Sequence, residues 1–229
     1  VINQTYQNWE LLIVDDCSTD NTDEVVAGFA DKRIRYFKNE KNSGAAVTRN
    51  RAMREAKGEW IAFLDSDDLW SPEKLEKQLA FMNKHGYVFS YHDYVKIDEE
   101  SQPLNIYVTG PEVVTKSGMY NYGYPGCLTF MYSAKAMGLI QIKDIKKNND
   151  YAILLKLCKI ADCYLLKENL AQYRIRKKSI SHDKLTKKLK SHYDLFHFCD
   201  EQSAPMAFWY ACWNMWYGLM KKRMYEKRM

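Results

Sequence analysis

Phe63-Leu64-Asp65-Ser66-Asp67-Asp68 closes an apolar run, Ile61 to Leu64, with three carboxylates in four residues. Carboxylates this close repel one another unless a cation lies between them. Oxygen-only donors select a hard divalent ion, and an ion held by one or two protein carboxylates keeps positions open for the phosphate oxygens of a substrate. The stretch therefore reads as a strand end that carries a Mg2+ or Mn2+ site for a diphosphate. The competing reading is a polar turn ahead of the helix that starts near Pro72, because Asp and Ser favour turns and caps.

Working outward, Glu10 to Val14 is a second short apolar run, and it stops at Asp15-Asp16-Cys17-Ser18-Thr19-Asp20. In an open parallel sheet, ligands bind beyond the carboxyl ends of the strands, so the two acidic clusters are expected to face one crevice. One cluster then holds metal and phosphate while the other reads a base or ribose, with plain helix capping as the alternative for Asp15 and Asp16. Strands over 9–14, Arg33–Phe37, Trp60–Leu64 and Val88–Val95 alternate with helices over Thr22–Ala30, Ala45–Ala56 and Pro72–Lys84. That alternation predicts an α/β fold, a mostly parallel central sheet flanked by helices. Glu99 to Gly126 reads as a loop region on the acceptor side. Ile153–Ile160 reads as a helix with Asp150 just ahead of it, and Tyr164–Leu166 and Ala171–Ile175 as short strands.

A chain of 229 residues with 46% hydrophobic content can bury a sizeable core, as one domain over 1–181 followed by a helical tail over 182–229. The net charge of +5 gathers late, in Arg174–Lys190 and Lys221–Arg228. A basic second half suits phosphate-bearing substrates, an anionic membrane face or nucleic acid, and charge alone does not choose. The six cysteines show neither Cys-x-x-Cys nor zinc-type spacing, which points to free thiols in a reducing compartment. No signal peptide is visible, and a start at Val1-Ile2-Asn3 without Met reads as a chain lacking its first strand.

Four segments in order, NQTYQNWELLIVDDCSTDNT, NSGAAVTRNRAMREAKGEWIAFLDSDDLWSPEKLEKQL, NNDYAILLKLCK and LAQYRIRKKSIS, resemble the family 2 glycosyltransferases of the GT-A fold that build bacterial surface polysaccharides. The resemblance runs from Val1 to about Ser181. It implies that Asp16, with Asp15 beside it, binds the uracil of a UDP-sugar. It implies further that Asp67 is the direct metal ligand, that Asp65 faces the ribose or metal waters, and that Asp68 supports the site or caps the next helix. Asp150 matches the base that takes the proton of the attacking hydroxyl in an inverting displacement, against an N-cap reading of the same residue. Many relatives carry Glu-Asp where this chain has Asn149-Asp150, and an acid where it has Ala152. Arg49 and Asn50 match a pair that faces the donor, with helix surface as the alternative. Tyr173, Arg174, Arg176, Lys178, Ser179 and Ser181 match a mobile basic segment that clamps the diphosphate, though many relatives have His at the place of Arg176. A solvated basic loop is the alternative.

The expected enzyme is thus an inverting hexosyl- or N-acetylhexosaminyltransferase using Mn2+ or Mg2+, acting in the cytoplasm on a saccharide or lipid-linked acceptor, with no nucleic acid partner. Tyr124, Pro125 and their neighbours to Thr129 are expected on the acceptor side. Within 204–228, Trp209, Trp213, Trp216 and Met220 recur at helical spacing ahead of Lys221-Lys222-Arg223, as in a helix lying on a membrane surface. Packing of that helix back on the domain, or a dimer contact, weighs equally. Rival classes are a sugar nucleotidyltransferase, a hydrolase forming an aspartyl-phosphate, and a GT-A domain that binds nucleotide but is impaired in catalysis.

Overall fold

Short apolar runs broken by turn residues set the first elements: β1 Leu11–Asp15, α1 Thr22–Ala27, β2 Ile34–Lys38, α2 Ala45–Glu55 and β3 Trp60–Ala62. A computed structural model describes residues 1–176 and 185–228. After the acidic turn come β4 Leu69–Trp70, α3 Lys74–His85, β5 Phe89–Ile97, β6 Pro103–Val108, β7 Val113–Val114, α4 Lys116–Asn121 and β8 Met131–Ser133. The second half adds α5 Ala134–Met137, α6 Asn149–Cys158, β9 Cys163–Arg174, α7 Leu185–Asp194, a π-helical turn Leu195–Cys199, α8 Ala204–Tyr225 and β10 Glu226–Arg228.

β1 and β2 pair in parallel, Leu11 against Ile34 through Asp15 against Lys38, so both strands end on one side. The other strands form a second sheet in the order β10-β6-β5-β8-β3, with β9 joined to β5, β4 and β7. The α/β class holds, but among the described residues parallel pairing is confined to β1–β2 and β5–β9. The remaining ladders are antiparallel, a more mixed sheet than the mostly parallel one expected. The β5–β6 pair shows why. Asp98 Oδ1 accepts the amides of Glu100 and Gln102 and folds the chain into a tight hairpin, which can only return antiparallel.

Side chains alternate across the sheet, and neighbouring residues of β8 enter different cores. Tyr132 joins the main core with Phe89, Phe130, Ile153, Leu154 and Leu157. Met131 joins the smaller one, where Leu75, Leu79 and Met82 of α3 pack beneath Trp60 and Trp70. α6 is buried almost all round, as expected of a helix with apolar residues on every face.

Several boundaries differ from the reading above. Glu99–Gly126 contains β6, β7 and α4 rather than loop alone, and the two short strands expected after Tyr164 are one strand, β9. Its interruptions, Lys167-Glu168-Asn169, are polar because that stretch is half-exposed while the ladder to β5 continues with register shifts. Beyond Asp194 the chain packs on the domain: Phe196, Ala207 and Ala211 enter the main core, and β10 pairs with β6. Among the described residues no helix is long and apolar enough to cross a membrane.

Candidate active site

β1 ends in Asp15, and the turn that follows absorbs both aspartates. The backbone N–H of Ser18 donates to Asp15 Oδ1 at 2.9 Å, the Ser18 hydroxyl donates to the same oxygen, and Tyr36 donates to Oδ2 at 3.1 Å. Burial pushes this carboxyl up, but the bonds from Ser18 and Tyr36 and the charge of Lys38 outweigh it and hold Asp15 below the usual range. Asp16 Oδ1 accepts from Asn39 Nδ2 at 2.8 Å and from the Ser43 amide at 2.8 Å, and its Oδ2 accepts from the Gly44 amide at 2.7 Å. Burial again works upward, and these bonds hold Asp16 low. Gly44 is the N-cap of α2 at φ 84°, a left-handed value that a Cβ would strain. Asp16 therefore fastens the loop that enters α2 to the end of β1.

One turn and a half along α2 stands Arg49. Its Nη2 donates to Asp65 Oδ1, the first carboxylate after β3. Burial works against the guanidinium charge; the acidic groups around it, the Cys127 thiol with Asp65 and Asp150, outweigh that and raise Arg49 above its ordinary value. Asp150, in the first turn of α6, thus acts on the same guanidinium as Asp65. Asn148, in the left-handed region at φ 58°, takes the N-cap position, so Asp150 is not the cap. Tyr173 near the end of β9 reports the same convergence. Burial pushes its hydroxyl up, and Asp68, Asp67, Asp150 and Asp65 all push the same way. The acidic turn and Asp150 therefore share one neighbourhood.

Asp67, Ser66, Leu69, Glu99, Arg174 and Arg176 line an open cleft of about 460 Å³. Arg176 Nε pairs with Asp67 Oδ2 at 2.9 Å. Arg174 is used differently. Its backbone N–H donates to Asp68 Oδ1 at 2.9 Å, Nε donates to the Asp67 carbonyl at 2.8 Å, and Nη1 donates to the Asp98 carbonyl and Ser101 Oγ, both at 2.9 Å. It pins the end of β9 to the acidic turn. Asn50 is likewise spent: its Nδ2 donates to the Ile142 carbonyl at 2.7 Å and its Oδ1 accepts the Ile142 amide at 3.0 Å, joining α2 to the segment before α6. Lys178, Ser179 and Ser181 lie outside the described residues.

Asp65 and Asp67 offer oxygen donors only, and Asp68 Oδ2 is buried without a partner. Among the described residues no group of three or more Asp, Glu, His or Cys side chains is placed to hold a metal ion by itself. That donor set suits a hard divalent ion whose shell is completed by phosphate oxygens. Cys127 is the residue that sequence reasoning passed over as a plain free thiol. Burial pushes it well above its ordinary value, Arg49 pulls it down, and Asp65, Asp150 and Asp68 push it up again, which places it against this site. The available signal was its place in Pro125-Gly126-Cys127, inside the segment assigned to the acceptor side.

Asp65 thus meets Arg49 on α2, while Asp15 and Asp16 tie the end of β1 to β2 and to the loop entering α2, in an α/β fold. Residues 1–136 match the description of glycosyl transferase family 2. The chain is 41% identical over 187 residues to the putative teichuronic acid biosynthesis glycosyltransferase TuaG of Bacillus subtilis, covering 80% of this chain and 74% of that protein. It is 36% identical over 197 residues to the Escherichia coli UDP-Glc:alpha-D-GlcNAc-diphosphoundecaprenol beta-1,3-glucosyltransferase WfgD, covering 85% of this chain and 76% of WfgD. Among solved structures, S. aureus TarS (1–349, in complex with UDP-GlcNAc) superposes with a TM-score of 0.70 at 19% identity, covering 95% of this chain and 66% of that one. The chain belongs to glycosyl transferase family 2 and has the GT-A fold.

Proposed function

We propose that the protein is an inverting, metal-dependent glycosyltransferase that moves a hexose or N-acetylhexosamine from a UDP-sugar to a saccharide or lipid-linked acceptor in bacterial surface-polysaccharide synthesis. The observation that carries this reading is that Asp65, Asp67 and Asp68 after β3 and Asp150 on α6 act together on Tyr173, while Arg49 answers both Asp65 and Asp150. These shared electrostatic neighbours support a reading in which donor-side cations and an acceptor-side carboxylate serve one site.

Asp150 is the base: its carboxylate takes the proton of the acceptor hydroxyl as that oxygen attacks the anomeric carbon from the face opposite the departing UDP. Asp67, with Asp65 beside it, would hold Mn2+ or Mg2+, which supplies positive charge to the leaving diphosphate. Arg176, already paired with Asp67, lies where it can turn to a phosphate, and Arg49 fixes the position of Asp65. Asp15 and Asp16 hold the loop that frames the base and ribose, and the lone pairs of Asp16 not used by the protein face the nucleotide. The names of TuaG and WfgD support a polysaccharide or lipid-linked acceptor. Such an acceptor places the enzyme in the cytoplasm at the inner face of the cell membrane.

UDP release from a panel of UDP-sugars, measured with and without Mn2+, tests the reading. Asp150→Asn is expected to lower the rate by about 10²–10⁴-fold, the usual contribution of a general base. Asp67→Asn is expected to abolish the Mn2+ dependence. Undiminished transfer by either variant, or pyrophosphate in place of UDP, rejects the assignment.

A further inference from the structure

The last long helix has two unlike faces. Ala207, Ala211 and Asn214 of α8 are buried against the domain. Gly218 continues that face so closely that a Cβ there would meet the Tyr122 ring at 3.0 Å, and the Lys221 ammonium stands over the same ring at 4.6 Å. On the other side Met206, Trp209, Trp216, Met220 and Met224 remain exposed, Trp209 at 59% and Trp216 at 52%, with Trp213 at their edge, its Nε1 donating to Asn121 Oδ1 at 2.8 Å. Phe208 and Leu219, the latter at 70%, widen the strip. Apolar surface of this extent on a folded domain marks a place where another phase or molecule sits.

The charges around the strip select its occupant. α8 contains no Asp or Glu; of its three cations Lys221 is buried over Tyr122 while Lys222 and Arg223 are exposed, and β10 follows with Glu226, paired with Lys96, and the exposed Lys227 and Arg228. α7 packs alongside α8 and exposes Lys187, Lys188 and Lys190, the last paired with Asp194 at 2.7 Å. Tryptophan, with an apolar body and a polar N–H, is at its best at the boundary between hydrocarbon and water, and clustered Lys and Arg are drawn to an anionic leaflet. A helix of 22 residues is about 33 Å long. Among the described residues no helix is long and apolar enough to span, and with one face packed on the domain α8 offers its other face along its length.

We propose that the outer face of α8 docks on an anionic lipid bilayer, with its tryptophans in the headgroup region and the α7, α8 and β10 cations against the lipid phosphates. The docking deepens the transferase reading above and rests on it for its purpose. Tyr122, which packs under Gly218, joins the inner face of α8 to the main core through its ring contact with Tyr124. A lipid-linked acceptor at the bilayer surface would then meet the acceptor side of the cleft.

Co-sedimentation of the purified chain with phosphatidylglycerol-rich vesicles, against phosphatidylcholine vesicles, tests this. The chain is expected to pellet with the anionic vesicles, with a blue-shifted tryptophan emission, and to bind the neutral ones about tenfold or more less tightly. Salt at about 1 M, where the screening length falls to about 3 Å, is expected to release it. The double variants Trp209→Ser/Trp216→Ser and Lys222→Glu/Arg223→Glu alter exposed side chains and are expected to keep the wild-type melting temperature while each loses about tenfold in vesicle binding. Failure to pellet, or equal binding by folded variants, overturns the proposal. So does a dimer in light scattering that dissociates in the tryptophan variant while no vesicle is bound, since a second copy would then cover the strip. Transfer to a water-soluble saccharide acceptor, followed in parallel, separates the two readings. A wild-type chain that transfers but never pellets loses only the docking; one that pellets and never transfers loses only the enzyme assignment.

Discussion

Asp68 accepts the backbone N–H of Arg174 on one carboxylate oxygen at 2.9 Å and keeps the other buried without a partner. The bond closes the acidic turn after β3 onto the end of β9, so the residues that flank the proposed phosphate position are set by a contact between distant parts of the chain. Burial raises Asp68 to about 7, aided by the charges of Asp67 and Asp65 and opposed by the bond and charge of Arg174.

That shift fixes a pH dependence. In protein stripped of divalent cations the folded state holds a proton on Asp68 that the unfolded state has already released above its ordinary value of 3.8. Stability should therefore fall as pH rises from about 4 toward 7, since the folded form binds more protons over that window. Asp68→Asn, isosteric and uncharged, is expected to remove the slope and to melt above the wild type at neutral pH. Thermal melts across the window decide it, and a parallel slope in the variant would refute the assignment.

Arg174 and Arg176 belong to the same basic segment but do different work. Arg174→Ala removes four hydrogen bonds that hold the Asp67–Asp68 turn and the 98–101 hairpin, and is expected to cost about 1.5–3 kcal/mol of stability. Arg176, exposed and paired only at the surface with Asp67, should change stability by less than about 0.5 kcal/mol when replaced by Ala. The same Arg176→Ala variant is expected to raise KM for the donor. Denaturant titration together with steady-state kinetics separates the two residues.

Asn50→Ala breaks both bonds to Ile142 and leaves that backbone unpaired, at a cost of about 1–3 kcal/mol. Transfer measured well below the melting temperature should change little. Its neighbour Arg49 behaves oppositely, because its guanidinium donates to Asp65 and is itself raised by the charges of Asp65 and Asp150. Arg49→Gln is expected to lower kcat, and an unchanged kcat would remove Arg49 from the site.

Lys74 is fully buried with no hydrogen-bond partner on its ammonium, above the Trp70 ring at 3.9 Å. Burial lowers it to about 7 from an ordinary 10.5, so the folded state binds fewer protons than the unfolded between those values, and stability there rises with pH. Lys74→Met keeps the stem and discards the charge. It is expected to remove this rise and to be more stable than the wild type at and below neutral pH, as read from melting curves.

Much of this was legible locally. The runs before Asp15 and Asp65 end in turns because consecutive carboxylates cannot continue a buried strand, and that alone marked both strand ends. The hairpin after Asp98 was missed because its acidic residues resemble any surface loop until Asp98 is seen to accept two backbone amides. Asn50, Arg174 and Cys127 were misjudged or passed over for one reason: a side chain's type does not say which distant backbone or charge it will meet.

The sequence by itself determined the α/β alternation, the acidic strand ends and the family, since each is written in residues a few positions apart, where periodicity and turn chemistry act directly. Tertiary structure decided the rest. It brought Asp150 to Arg49 and the acidic turn, spent Asn50 and Arg174 on the fold, and turned the tryptophans of α8 outward. Those outcomes depend on how burial of one large core closes long loops, and on which side chains are left facing inward once it has.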